Sequence, residues 1–222
     1  GGAMSQWSPY DDNGGTCVAV AGEDWCIVAA STRLSTGYSI LTRQQTKMLK
    51  VSPSCVVASA GFQADRVALH KLLQARAVNY KHDHRRDIRC PAVAQMLSNT
   101  LYNKRFFPFY TFNLVAGLDN EGKGCVYTYD AIGSHERTGY SCQGSGKDLI
   151  QPVLDNQLKS ASPLLWPPVS TAAKLSKEEA IELVKEAFVS ATERDIYTGD
   201  AVEILVMTAA GVEELRLPLR AD

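Results

Sequence analysis

The chain has few of the features that would place it in a special class. Its six cysteines (17, 26, 55, 90, 125 and 142) include no Cys-x-x-Cys pair, so the spacing used by zinc ribbons and dithiol redox motifs is missing. Several of them fall in apolar, strand-like runs and read as buried free thiols of a reducing compartment. No apolar run approaches the roughly 20 residues of a membrane span. Residues Gly1 to Tyr10 show neither the basic end nor the apolar stretch of a secretory signal. Gly1-Gly2-Ala3-Met4 reads as either a cloning remnant or a processed end. A net charge of −1 supplies no field to draw nucleic acid or an anionic membrane, so neither is expected as a partner. His82, Asp83 and His84 fall short of a closed metal site. Gly144-Ser145-Gly146 lacks the lysine and hydroxyl pair of a phosphate loop and reads as a tight turn. No metal and no cofactor are expected.

What the chain does have is an ordinary globular balance, 45% hydrophobic and 21% charged over 222 residues. That is enough for one well-buried domain or two small ones. Cys17–Ala21 and Trp25–Ala30 are apolar runs joined by the turn Gly22-Glu23-Asp24. Met48–Val51 and Cys55–Ala60 read as further strands, and a helix is expected from about Phe62 to Tyr80. Ala64, Val67, Ala68, Leu72, Ala75 and Val78 make the apolar stripe of that helix. Lys81 to Asp87 reads as a loop, with Arg85-Arg86 neutralised by Asp83 and Asp87. Pro91 suits the first turn of a second helix, with Val93, Met96, Leu97 and Leu101 on one face.

The period then changes. Phe109–Leu118 and Gly124–Tyr129 are strand-like and joined by Asp119-Asn120-Glu121-Gly122. A short strand near Tyr140 leads to a third helix ending about Leu154, and residues 159–170 form a proline-rich surface connection. Ser176 with Glu179 makes a capping box for a fourth helix, whose buried stripe is Ala180, Ile181, Val184, Ala187, Phe188 and Ala191. Ala201–Thr208 and Val212–Leu217 close the chain as a hairpin. Strand pairs alternating with helix pairs point to an α+β fold in which two antiparallel sheets stack face to face with helices outside both. Apolar runs such as Cys26–Ala30 fit strands covered on both faces.

The N-terminal order carries a resemblance. Asn13-Gly14-Gly15-Thr16 opens onto the first strand, Ala29-Ala30-Ser31-Thr32-Arg33 ends the second, and Lys47 opens a later extended segment. This order resembles proteasome beta subunits, which are N-terminal-nucleophile hydrolases with a four-layer αββα fold. The likeness runs from Ser8 to the C-terminus through Lys104-Arg105-Phe106-Phe107-Pro108, Ala116-Gly117-Leu118-Asp119, Leu154-Asp155-Asn156-Gln157 and Ala191-Thr192-Glu193-Arg194-Asp195. It is nearest to a non-catalytic member, although Ser31 stands where an aspartate is often found and Ala131 where proline is expected. On that resemblance residues 1–14 are an N-terminal extension or processed remnant, and 15–222 are a single beta-type domain.

The register of the resemblance puts Gly15 at the nucleophile position, Ser31 at the acid and Lys47 at the lysine. Ser145, Asp195 and Thr198 match the polar groups that hold the nucleophile's amine in active members. Glycine has no side chain to attack a carbonyl, and covalent catalysis needs an activated nucleophile beside an oriented base. Losing the nucleophile of such a unit removes roughly six orders of magnitude in rate, so no catalytic residue is expected. The alternative is cleavage before Thr16, which would then be the nucleophile. Counted from there, the acid and lysine positions fall on Thr32 and Met48, neither of which can move a proton. The resemblance further implies a heteroheptameric beta ring, an opposing beta ring, alpha rings outside both, and polypeptide substrates within. Exposed aromatics Tyr102, Phe106, Phe107 and Phe109 are candidates for the flanks of such a subunit, with ordinary core as the competing reading. For Tyr127-x-x-Asp130-x-x-Gly133-Ser134 the resemblance implies that Asp130 and Ser134 line the substrate pocket of a chymotrypsin-like neighbour. Ubiquitin-dependent protein degradation in cytoplasm and nucleus is the implied setting.

Overall fold

A computed structural model describes residues 7–158 and 175–222. The proline-rich stretch at 159–170 and Gly1 to Met4 lie outside the described residues. In chain order the elements are β1 (Thr16–Ala21), β2 (Trp25–Ser31), β3 (Leu34–Thr36), β4 (Ser39–Thr42), β5 (Met48–Ser52) and β6 (Cys55–Gly61). Helices α1 (Gln63–His84) and α2 (Cys90–Tyr102) follow, then β7 (Thr111–Leu118), β8 (Gly124–Tyr129), β9 (His135–Thr138) and β10 (Tyr140–Gly144). The chain closes with α3 (Lys147–Gln157), α4 (Lys177–Thr192), β11 (Ala201–Thr208) and β12 (Gly211–Pro218).

One sheet runs β10-β1-β2-β11-β12 and the other β5-β6-β7-β8-β9, and every pairing within them is antiparallel. The pleat sends successive side chains to opposite faces, which sorts the apolar run of β1 between two cores. Val18 and Val20 face outward onto Ile150, Leu154, Val184 and Phe188 of α3 and α4. Cys17, Ala19 and Ala21 face inward, against Val56, Ala58, Leu114 and Val126 of the second sheet. The outer face of that second sheet is covered by Leu69 and Leu73 of α1 and Val93 and Leu97 of α2. The result is the expected α+β sandwich, helices–sheet–sheet–helices. Small residues on the inward faces let the two sheets approach closely.

Three local expectations need correction. Helix α1 continues through Lys81–His84 and ends on Arg85, whose left-handed φ of 57° lets its N–H bond the Lys81 carbonyl. The polar run is a solvated last turn, and its basic residues suit the negative end of the helix dipole. The carboxylates there pair with Lys81 and His82 instead of Arg85 and Arg86. The buried stripe of α1 is Arg66, Leu69, Leu73 and Ala77, while Ala64, Val67, Ala68, Leu72, Ala75 and Val78 are all exposed. The apolar period was real, but it marks the opposite face. Strands β3, β4 and β9 are too short and too polar to show an alternating signal. The fourth helix has its capping box, with Glu179 N donating to Ser176 Oγ and Ser176 N to Glu179 Oε2.

Candidate functional site

The segment before β1 is fastened into the fold. Tyr10 packs against Phe62, Phe107 and Tyr110, and its hydroxyl donates to the Pro108 carbonyl at 2.8 Å. Asn13 is buried; its Nδ2 donates to Ser35 O and its Oδ1 accepts from Gln63 N at the start of α1. Gly14 and Gly15 then turn the chain with φ of +65° and +91°. This left-handed region is open to glycine and strained for other residues.

At Gly15 the space matters as much as the backbone. A Cβ there would lie 2.3 Å from Lys47 Cε and 3.0 Å from its Nζ. Lys47 is fully buried, and its Nζ donates to the Ser31 and Arg33 carbonyls at 2.6 Å each. Burial pushes the Lys47 pKa down to about 7, with the Cys17 thiol opposing that shift and Arg66 adding to it. Thus the lysine occupies the volume into which any side chain at position 15 would project. Ser31 meets Lys47 through its backbone oxygen; its hydroxyl instead accepts from Thr16 N at 3.1 Å.

Ser145, Asp195 and Thr198 gather on the other side of the β1 start. Asp195 Oδ2 accepts from Ser145 Oγ at 2.7 Å and from Thr198 Oγ1 at 2.6 Å. Ser145 N and Oγ also reach the Gly15 carbonyl, at 3.0 and 3.3 Å. Because the Thr198 proton is committed to Asp195, the 2.7 Å contact between Thr16 Oγ1 and Thr198 Oγ1 has Thr16 as donor. Gly146 N donates to Thr16 Oγ1 at 2.9 Å. Thr16 is therefore a full member of this network, a role not foreseen from sequence. Its hydroxyl lies on the face of β1 shared with Val18, opposite to the side on which Lys47 packs against Gly15. In the rival register, Thr32 Oγ1 donates to Arg43 O at 2.8 Å and Met48 begins β5.

Asp130 and Ser134 sit apart from this group on the turn between β8 and β9. Asp130 Oδ1 accepts from Ile132 N at 3.1 Å and Ser134 N at 2.8 Å, and Asp130 N donates to Ser134 O. Gly133, at φ +99°, brings the turn against α2, where Ser98 Oγ donates to its carbonyl at 2.6 Å. Ser134 borders two surface hollows. One of about 310 Å³ is shared with Asp130, Glu136, Gln143 and Lys147; the other, of about 430 Å³, is shared with Asn99, Tyr102 and Ile132. Tyr102, Phe106 and Phe107 are exposed, Phe106 at 94%, whereas Phe109 packs onto the α1/α2 core. His82 and His84 lie on the last turn of α1, and the described residues contain no cluster of three or more metal-ligating side chains.

Comparison with known proteins adds an independent line. A sequence model described as proteasome subunit matches residues 11–207. The proteasome subunit beta type-1 of Petunia hybrida is 61% identical over 219 residues, covering 99% of this chain and 98% of the relative. That of Arabidopsis thaliana is 59% identical over 218 residues, covering 98% of each. The protein of the same name from Dictyostelium discoideum is 47% identical over 218 residues, covering 98% of this chain and 91% of its own length.

Proposed function

The chain belongs to the proteasome subunit family, and from that premise we propose that it serves as a non-catalytic, structural beta subunit of the proteolytic particle. The observation that carries the absence of catalysis is the Gly15–Lys47 contact. Where an attacking hydroxyl and free amine would be needed, the chain has a hydrogen atom backed by a buried lysine side chain. The surrounding polar groups are satisfied by one another, so they hold the loops 144–146 and 195–198 against β1 without chemistry. The rival nucleophile, Thr16, has its hydroxyl bonded to Thr198 and Gly146 on the face away from Lys47. A nucleophile needs its base within hydrogen-bond reach.

The test is covalent labelling of the assembled particle with a peptide epoxyketone, followed by mass analysis of each subunit. Labelling is expected on companion subunits and absent here; adduct on this polypeptide at Thr16 would overturn the assignment. Assembly with other proteasome subunits follows from the family. The finer arrangement we put forward is a heteroheptameric beta ring facing a second one, with alpha rings outside and a cytoplasmic and nuclear setting. Within it, Asp130 and Ser134 border the substrate pocket of the chymotrypsin-like neighbour. Asp130 spends Oδ1 on its own turn, which leaves Oδ2 free of hydrogen bonds to described residues in a side chain that lines the hollow.

A further inference from the structure

Three thiols meet on the outer face of the second sheet. Cys55 of β6 and Cys125 of β8 stand on either side of Gly117 of β7, each in register with it, and both belong to the core beneath α1 and α2. Residues in one row of a sheet share a face, so the glycine leaves a gap between the two side chains. Cys90, the first residue of α2, comes down at that gap. A Cβ on Gly117 would lie 2.9 Å from Cys90 Sγ and 2.0 Å from the Ser54 carbonyl oxygen. The missing side chain therefore lets the start of α2 approach the sheet.

The arrangement selects one pair. Cys90 Sγ donates to Cys55 Sγ at 2.9 Å, while Cys125 Sγ donates to the Gly117 carbonyl at 3.5 Å. Disulfide sulfurs stand about 2.05 Å apart, so Cys55 and Cys90 have to close by less than about 1 Å. Both are free thiols, fully buried and 35 residues apart in sequence. A bond between them would join α2 to β6 and enclose α1 in the loop.

Burial also decides when the pair reacts. The thiolate is the nucleophile in thiol oxidation. Burial raises the pKa of both thiols, and the hydrogen bond from Cys90 opposes that rise at Cys55. Cys55 is thus the better attacking group. An oxidant reaches it by fraying of the first turn of α2, which is held by Ala92 N and Val93 N donating to Arg89 O at 3.0 Å each. Such terminal turns open at far lower free energy than the core.

We propose that Cys55 and Cys90 are a reversible oxidation site, converted by hydrogen peroxide into a disulfide that staples α2 to the second sheet. The Cys55 thiolate attacks the peroxide and breaks its O–O bond. One oxygen stays on sulfur as a sulfenic acid, and the departing hydroxide leaves as water with the proton the Cys55 thiol gave up. The Cys90 sulfur then displaces the hydroxyl from Cys55, forming the S–S bond and breaking S–O. A second water carries off the Cys90 proton. The two thiols lose two electrons and one peroxide gains them; thiol reductants reverse the step. Neither cysteine belongs to the Gly15, Thr16, Asp195 group, so the site is independent of whether the subunit cleaves peptides.

The experiment exposes the assembled particle to hydrogen peroxide, alkylates the remaining thiols under denaturing conditions and maps this subunit's peptides by mass. A Cys55–Cys90 cross-linked peptide is expected, cleaved again by dithiothreitol, and amide exchange at Ala92 and Val93 should slow severalfold while the link persists. In Cys90→Ser the link should vanish and Cys55 should carry added oxygen instead. The wild-type map alone decides the matter if that variant fails to assemble. Full alkylation of both cysteines, after peroxide has oxidised other thiols of the particle, would overturn the proposal. So would a Cys90–Cys125 linkage, or irreversible oxidation of either sulfur, in place of the Cys55–Cys90 bond.

Discussion

Replacing Gly15 with alanine is the most direct probe of how the site is built. The left-handed backbone at φ +91° costs a residue with a Cβ about 1–2 kcal/mol. The new Cβ would then sit 2.3 Å from Lys47 Cε, a distance no packed pair tolerates. Lysine is flexible and on a surface would simply swing aside. Here it is fully buried, and moving it breaks the bonds from Nζ to the Ser31 and Arg33 carbonyls. Hydrogen bonds from a charged donor are worth about 1.5–3 kcal/mol each. Counting one of the two as lost, the substitution should cost about 2.5–5 kcal/mol.

Amide hydrogen exchange within the assembled particle reads this quantity locally. Two amides report on it, Thr16 N–H to Ser31 Oγ and Ser145 N–H to Gly15 O. At about 1.4 kcal/mol per tenfold, their protection should fall by roughly two to three and a half orders of magnitude. Complete failure of the variant to enter particles is the same effect at its upper limit. Normal incorporation with protection essentially unchanged would mean that Lys47 does not fill the space beside Gly15, and the structural support for the proposed absence of catalysis would go with it.

Three further outcomes follow from the same geometry. In Lys47→Met the pH dependence should change: Lys47's folded pKa lies near 7 against an ordinary value of 10.5, so the unfolded state holds the extra proton between these values. Stability of the wild type relative to K47M should therefore rise as pH increases from about 7 to about 10.5, and exchange protection measured across that range checks it. Asn13→Ala removes a cap from α1 and a bond to Ser35 O; a loss of about 2 kcal/mol, seen as faster exchange at Gln63 and the first turn of α1, is expected. Asp130→Asn keeps an oxygen to accept from Ile132 and Ser134 while removing the charge. It should leave assembly intact and alter chymotrypsin-like peptide turnover by the particle; unchanged kinetics across several peptides would refute the pocket assignment.

Much of this is legible in the amino-acid sequence. The αββα order followed from alternating strand and helix pairs, because β1, β2, β6 and β7 are apolar on both faces and only covered sheets need that. The resemblance located Gly15 and the residues around it. Sequence spacing could not reveal that Thr16 completes the Asp195–Thr198 chain, since that contact joins residues 182 apart. Nor could it identify Arg66 as buried, because a lone arginine among apolar neighbours normally marks a solvated face. Strands β3 and β4 leave no signal for a different reason: with three and four residues and a bulge between them, they have no period to read.

Helix α1 shows why hydrophobic periodicity can be right about a helix and wrong about its orientation. Its six-residue apolar stripe, Ala64 to Val78, faces away from the body of the chain, with Val67 51% and Val78 65% exposed. The opposite face buries Leu69 and Leu73 yet admits Arg66. A period in sequence records which positions are withdrawn from water in the working state of the protein, and for a proteasome subunit that state includes other chains. Contiguous exposed apolar surface of this kind is uncommon on proteins that act alone. Val67→Asp and Val78→Asp should accordingly change the subunit's own stability by no more than about 0.5 kcal/mol, as exposed positions usually do. Incorporation into the particle, followed by native mass, should fall sharply, because a carboxylate would be buried without a partner. Particles assembled at wild-type yield with both substitutions present would show that this face stays in water, and that its period is an accident of helix-forming residues.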